Sequence, residues 1–367
     1  MKDKAAHILF LVPYPMKHAP SQRFRVELFL PELDKAGITY KVQSFLDEQT
    51  WDVLYKGGGI ISKVWGVTKG FARRWKMVLS GLSGYDFVFI HREAAPLGPP
   101  VFEWIISKVL RKKIIYDFDD AIWIPNTSKE NKLVSWIKAF WKVKYICKWA
   151  HKVVGGNDYL CGYAHSFNKQ VVKIPTCVDT VNGHNRLKDQ HTDKMIVGWT
   201  GSHSTMKFLD EIVPVLGELQ TKYDFEFVVI SNTPPAFELR SLRFIPWKEE
   251  TETEDLLQLN IGVMPLEKDP WCEGKCGFKL IQYLSLGIPA VASPVGVNIV
   301  IIEQEKNGFL CETKEEWGRA LSFLIEQEQS RFQMGKAGRD TIEKEYSIRS
   351  QAEKFLSLFD SDTEWSK

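Results

Sequence analysis

A chain of 367 residues with 44% hydrophobic and 26% charged content is long enough for two buried cores and too apolar to be disordered. No run approaches the roughly 20 apolar residues of a bilayer-spanning helix, and Met1-Lys2-Asp3-Lys4 leads into a strand pattern rather than a secretion signal, so a cytoplasmic protein is expected. The formal net charge of +2 conceals an asymmetry. Residues 1–180 hold 27 Lys+Arg against 16 Asp+Glu and residues 181–367 hold 21 against 30, so halves of +11 and −9 point to two domains with different surroundings.

In chain order, 7–12 (HILFLV) is a short apolar run closed by Pro13 and Pro15, and a loop leads into a helical pattern over 23–35. Further strands are expected at 40–45, 87–91, 113–117, 152–156 and 171–174 with helical patterns between several of them. A polar, aperiodic stretch over 178–193 reads as a linker. Beyond it the layout repeats, with strands at 195–199, 225–231, 242–246, 261–265 and 290–293 and a helix over 206–219. Two successive βα arrays predict two doubly wound α/β domains, which bind ligands at the carboxyl ends of their strands. The expected divisions are 1–183, 184–345 and a terminal amphipathic helix within 346–367.

Two loops have the composition of an anion site. Glu273-Gly274-Lys275-Cys276-Gly277 opens an amphipathic run that stops at Gly287 with Pro289 two positions on, and free backbone N–H groups at such a helix start favour negative charge. An ordinary αβ unit that carries two lysines has the same pattern. Gly201, Ser202, Ser204 and Thr205 stand at the expected start of the helix over 206–219, where hydroxyls either cap the helix or hold a phosphate. Neither loop, nor PYPMKHAPSQRF after the first strand, has Gly-x-Gly-x-x-Gly, which argues against a dinucleotide-dependent dehydrogenase. The six cysteines are scattered without zinc spacing and read as reduced thiols.

The run Gly274-Lys275-x-Gly277-x-Lys279-Leu280-x-Gln282-Tyr283-Leu284-x-x-Gly287-x-Pro289-x-Val291-x-Ser293 resembles the donor-binding signature of family-4 retaining glycosyltransferases with the two-domain GT-B fold. VVKIPTCVD (171–179) and Asn307-Gly308-Phe309-Leu310 are similar to runs that precede and follow that signature in the family. The resemblance implies two Rossmann-like domains facing across a cleft, a C-terminal helix crossing back to the first domain, a nucleotide-diphosphate sugar as co-substrate and no required metal. It also shows departures. Two glutamates eight residues apart are usual, and here those positions hold Gly274 and Gln282. Gln282 retains hydrogen-bonding capacity for ribose hydroxyls without the charge. Lys275 and Lys279, four apart and on one side of a helix that includes both, are candidates to neutralise the diphosphate, with Gly277 beside them and Arg23 from the first loop as a third cation.

His91-Arg92-Glu93 and Asp117-Phe118-Asp119-Asp120 follow expected strands of the first half, at the ends where the resemblance places the acceptor site. His91 and Asp119 are the expected catalytic pair. Helix capping by one aspartate and pairing of another with Arg92 is the structural alternative. Lys63–Lys76 and Lys132–Lys152 alternate cations with Trp65, Trp75, Trp136, Trp141 and Trp149, which suits either an interfacial helix on anionic lipid or a solvated helix with a Trp-rich core face. No nucleic-acid motif accompanies them. The expected activity is glycosyl transfer from a nucleotide sugar to a glycan or lipid-linked acceptor. A nucleotide-sugar epimerase of the same fold and a non-catalytic partner subunit are the alternatives.

Overall fold

The computed structural model describes residues 6–55, 59–125 and 138–360, and it divides into two compact units. One comprises the chain up to Pro175 together with the segment from Gln351 onward; the other is Thr176–Ser350. Each is built on one six-stranded sheet whose pairings are all parallel.

In the first unit β1 (His7–Val12), β2 (Thr39–Ser44), β3 (Phe87–His91), β4 (Lys113–Phe118), β5 (Lys152–Gly155) and β6 (Val171–Lys173) lie in the order β2-β1-β3-β4-β5-β6. The inner strands are buried on both faces, which is why they read as unbroken apolar runs. Helix α1 (Pro20–Arg25) begins at a proline, whose missing N–H is no loss in a first turn. A 3₁₀ turn at Glu27–Phe29 separates it from α2 (Leu30–Lys35). The single helix expected over 23–35 is therefore broken. Pro31 offers no N–H to continue the ladder and instead starts α2. There follow α3 (Glu48–Tyr55), α4 (Ile60–Ser80), α5 (Val101–Trp104) running into a π turn (Ile105–Val109), α6 (Lys142–Trp149) and α7 (Asp158–His165).

The second unit has β7 (Met195–Gly201), β8 (Phe225–Ser231), β9 (Leu242–Pro246), β10 (Ile261–Met264), β11 (Ala290–Ala292) and β12 (Gly308–Leu310) in the order β12-β11-β10-β7-β8-β9. The expected helix over 206–219 starts earlier and is interrupted, as α8 (His203–Met206), a 3₁₀ turn (Lys207–Glu211) and α9 (Val213–Lys222), the last with Pro214 in its first turn. Then come α10 (Glu252–Leu257), α11 (Pro270–Glu273), α12 (Phe278–Ser285), α13 (Asn298–Ile301), α14 (Lys314–Glu326), α15 (Glu328–Glu345) and α16 (Ile348–Leu356). One face of this sheet packs Trp199, Phe227 and Val263 against Leu216 and Trp317.

Residues 176–183, expected in the first domain, belong to the second unit. Val178 bridges Ser347, and Arg339 donates to the Thr180 carbonyl at 2.9 Å. The end of the chain contributes to the first unit's core: Phe355 stacks on Phe29 at 4.3 Å between centroids, and Phe359 lies 5.8 Å from Phe87. Lys132, Trp136 and residues 361–367 lie outside the described residues.

Candidate functional site

Because all strands of a sheet run the same way, the loops that follow them gather along one edge. In the second unit the loops after β7, β10 and β11 are neighbours there. Gly201 ends β7 where a side chain has no room: a Cβ would lie 2.5 Å from the Trp199 ring and 2.9 Å from Cε of Lys279. The Lys279 stem thus runs along the end of β7, and its ammonium stands 5.4 Å from the centre of the Trp199 ring. The Thr200 N–H donates to the Tyr283 hydroxyl at 2.9 Å, which fastens α12 to the same strand end.

Gly277 is the residue before α12, with φ of +68° and no space for a Cβ, which would meet Ile301 Cδ1 at 2.2 Å. Helix α12 therefore starts at Phe278, so Lys279 is in its first turn and Lys275 is not on it. The expectation that both lysines share one helical side fails for that reason. Lys275 instead packs its ammonium over the Trp271 ring of α11, 3.5 Å from the centroid. Ser202 occupies the cap position of α8 without making a cap bond, its Oγ lying 2.9 Å from Oγ of Ser204. Thr205 Oγ1 donates back to the Ser202 carbonyl at 3.1 Å, and the His203 N–H donates to Asn232 Oδ1 at 2.9 Å. A cavity of about 650 Å³ opens beside these loops between Lys207, Leu266, Ser293 and Glu312.

Gln282, on α12, is 1% exposed, and its amide nitrogen has no hydrogen-bond partner among the described residues. A buried amide left unpaired costs about 1–3 kcal/mol, so it calls for an explanation that the fold itself does not supply.

The first unit carries a separate polar network at the ends of β3 and β4, where His91 and Asp117 pair in register. Both are buried, and His91 Nδ1 lies 2.7 Å from Asp117 Oδ2. The Arg25 guanidinium of α1 takes the other Asp117 oxygen and the Ile174 carbonyl. On the other side of the ring, His91 Nε2 faces Ser21 Oγ at 2.9 Å. The carboxylate within hydrogen-bond distance of His91 is Asp117. Asp119 accepts from Arg92 Nε at 3.0 Å and Nη2 at 2.8 Å, and Asp120 accepts from the same Nη2 at 2.6 Å. Burial works to raise the Asp119 carboxyl, and Arg92, His91 and a bond from Ser21 outweigh it and hold the group far below the usual carboxylate range. Ser21 therefore stands between His91 and Asp119. Arg92 itself has a φ of +61°, a backbone cost at the edge of this network.

Arg23 lies on α1 in the first unit, apart in sequence and unit from the lysines it was grouped with. Asp117 and Asp119 are occupied by Arg25, His91 and Arg92, and among the described residues no group of three or more His, Cys, Asp or Glu is placed to hold a metal. Ser21 and Arg25 were missed by sequence reasoning, since partners 70 and 92 residues away leave no local pattern.

Comparison with known proteins shows the fold. Residues 236–341 match the model of Glycosyl transferases group 1, a segment that contains Lys275, Gly277, Lys279 and Gln282. Among solved structures, sucrose-phosphate synthase from Thermosynechococcus elongatus superposes with a TM-score of 0.70 at 13% identity, covering 97% of this chain and 98% of that one. HepE from Anabaena, solved with UDP and glucose, gives 0.66 at 13% identity over 97% and 100% of the two chains. The catalytic domain of starch synthase IV from Arabidopsis thaliana, bound to ADP and acarbose, gives 0.66 at 12% identity over 97% and 99%. A search of curated protein sequences finds no match. The fold is that of the two-domain GT-B glycosyltransferases. The segment that matches the group 1 model lies in the second unit.

Proposed function

We propose that the protein is a retaining glycosyltransferase of the family-4 kind, moving a sugar from a nucleotide-diphosphate sugar to a glycan or lipid-linked acceptor. The observation that carries this reading is the match of residues 236–341 to Glycosyl transferases group 1, which contains the short helix bearing Gln282 and presenting Lys279 in its first turn against Gly201 and Trp199. The Gln282 amide nitrogen is closed to solvent, so a ribose hydroxyl would become its partner only once the side chain turns outward. Lys279, Lys275 and the N–H groups after Gly277 would neutralise the diphosphate as it leaves, which is where such a reaction gains most from the protein. These cations serve without a resident metal in this reading. His91 Nε2 stands 2.9 Å from Ser21 Oγ, and Asp119 beside Ser21 continues a chain of polar groups that in this reading serves the acceptor side. All six cysteines are buried and none is in a disulfide, which supports a cytoplasmic setting.

Gly274, where the family usually has a glutamate, favours a second reading: a non-catalytic partner subunit that retains sugar binding. Incubation with labelled UDP-, GDP- and ADP-sugars separates them. Release of the nucleoside diphosphate with a glycosylated acceptor is expected. Interconversion of the sugar would indicate an epimerase, and binding without turnover would indicate the subunit. A melting-temperature screen of the same compounds identifies the base, because a ligand of the native state stabilises it by mass action.

A further inference from the structure

Helix α4 is the longest of the described residues, 21 residues and so about 32 Å by the α-helical rise. Its inner face is narrow: Gly66, Gly70, Arg74, Met77 and Val78 are buried, with Gly66 against Thr50 and Gly70 against Phe45. A surface helix with such a face ordinarily turns polar side chains to water. Here Ile60, Ile61 and Leu79 are more than three-quarters exposed, and Val64 and Trp65 more than half. The pattern continues on its neighbours. Trp75 of α4 meets Phe102 of α5 edge to face at 5.1 Å, and Ser107 of the π turn donates to the Trp149 carbonyl at the end of α6 at 2.9 Å. Their outward sides expose Trp104, Val109 and Leu110, then Trp141 and Tyr145.

The charge on this face has one sign. Lys69, Lys76, Lys108, Arg111, Lys144 and Lys148 are exposed on these elements and the turn that follows Val109. Residues 60–80 and 138–149 contain no acidic residue, and the single one in 101–113, Glu103, is buried and accepts from the Ala94 N–H. A protein interface core is normally depleted of lysine, and pairing this face with a second copy of itself would oppose like charges. An anionic bilayer satisfies every component. Apolar tips enter the headgroup boundary, tryptophans sit at its level, and lysine stems extend their ammonium groups to the phosphates.

We infer that the outward face of α4, α5, the π turn and α6 is a docking surface for an anionic lipid bilayer, on which the protein lies without spanning it. No described helix is long and apolar enough to cross a membrane. The inference does not depend on the chemistry of the second unit, and vesicle binding is measured without nucleotide sugar.

The test is sedimentation of the full chain with phosphatidylcholine vesicles, with and without phosphatidylglycerol, at low and high salt. Binding only to the anionic vesicles, falling as salt rises, is expected. Lys69→Ala, Lys76→Ala and Lys108→Ala together should weaken it roughly a hundredfold, at about fivefold per cation near the surface. Ile61→Ser with Trp65→Ser should weaken it at constant charge, and because these side chains are exposed the melting temperature should not move. Failure to bind either vesicle overturns the inference. So does binding that these variants leave unchanged, which would place the contact elsewhere, or a salt-stable dimer that the Ile61→Ser, Trp65→Ser protein abolishes while vesicles bind neither form.

Discussion

At the scale of single residues, what the site lacks is more informative than what it has. Gln282 sits in the interior with an amide nitrogen that no described residue pairs, and folding stability alone would select an apolar side chain there. Gln282→Met is accordingly expected to raise stability by about 1–2 kcal/mol in urea unfolding while lowering affinity for the nucleotide. A variant that is destabilised and binds as tightly as the parent would show that the amide has a structural partner instead. Lys279→Ala is expected to weaken nucleoside-diphosphate binding by about 1.5–3 kcal/mol, the range of a charged hydrogen bond, without unfolding the protein; titration calorimetry reads it directly. Asp119 gives a pH signature. Its carboxyl is held below its unfolded value, so its contribution to stability is present above the ordinary carboxylate pKa of about 4 and is lost as pH falls below that. Asp119→Asn should flatten the acid side of the stability profile and leave the neutral and alkaline sides parallel to the parent.

At the scale of elements, the strands were legible because buried parallel strands are continuous apolar runs between turn residues, and β1, β3, β8 and β9 have the expected bounds. Helices with prolines were read as single pieces, because periodicity persists across Pro31 and Pro214 although the hydrogen-bond ladder does not. β12 was not among the expected strands: three residues after Asn307 carry too little pattern to announce a strand, and pairing with β11 makes it one. In the candidate site, the glycines and lysines of 274–279 were legible as composition, yet the start of α12 depends on a left-handed glycine that no periodicity reveals. The least legible residue is Arg74. It is 0% exposed in the middle of α4 and donates to the carbonyls of Val12 at 2.9 Å, Gln43 at 3.0 Å and Ala94 at 2.8 Å, thereby tying the ends of β1 and β2 to the loop after β3. Burial, with Arg73 nearby, lowers its pKa to about 9. Arg74→Ala would leave those carbonyls unpaired and is expected to cost about 3–5 kcal/mol, and Arg74→Lys nearly as much, since one ammonium cannot reproduce the planar fork. Denaturant midpoints for both variants test this.

For the whole molecule, the two units differ in how the chain builds them, and that difference makes a prediction. Thr176–Ser350 is continuous, closes its own six-stranded sheet and anchors its start by the Val178 to Ser347 bridge. The other unit is interrupted by it, and takes the last part of its core from beyond Gln351. That part is not peripheral. Phe355 stacks on Phe29, Phe359 lies within 6.3 Å of Phe10, Phe87 and Phe89, and Lys152, buried at the start of β5, donates to the Ser357 and Leu358 carbonyls at 3.1 and 2.9 Å. Removing two core phenylalanines costs about 3–5 kcal/mol each by truncation experience, and an uncovered buried lysine adds to it, which approaches the entire stability of a domain of this size. A protein ending at Ser350 is therefore expected to lose cooperative unfolding of its first unit and to expose apolar surface to a reporter dye. Residues 176–350 alone should fold and unfold in one transition and bind nucleoside diphosphate with the affinity of the full chain. Restoring residues 351–360 to 1–175 through a flexible linker should recover a folded first unit. Cooperative unfolding of 1–175 without that segment would show that the aromatic contacts at the chain end decorate the core rather than complete it.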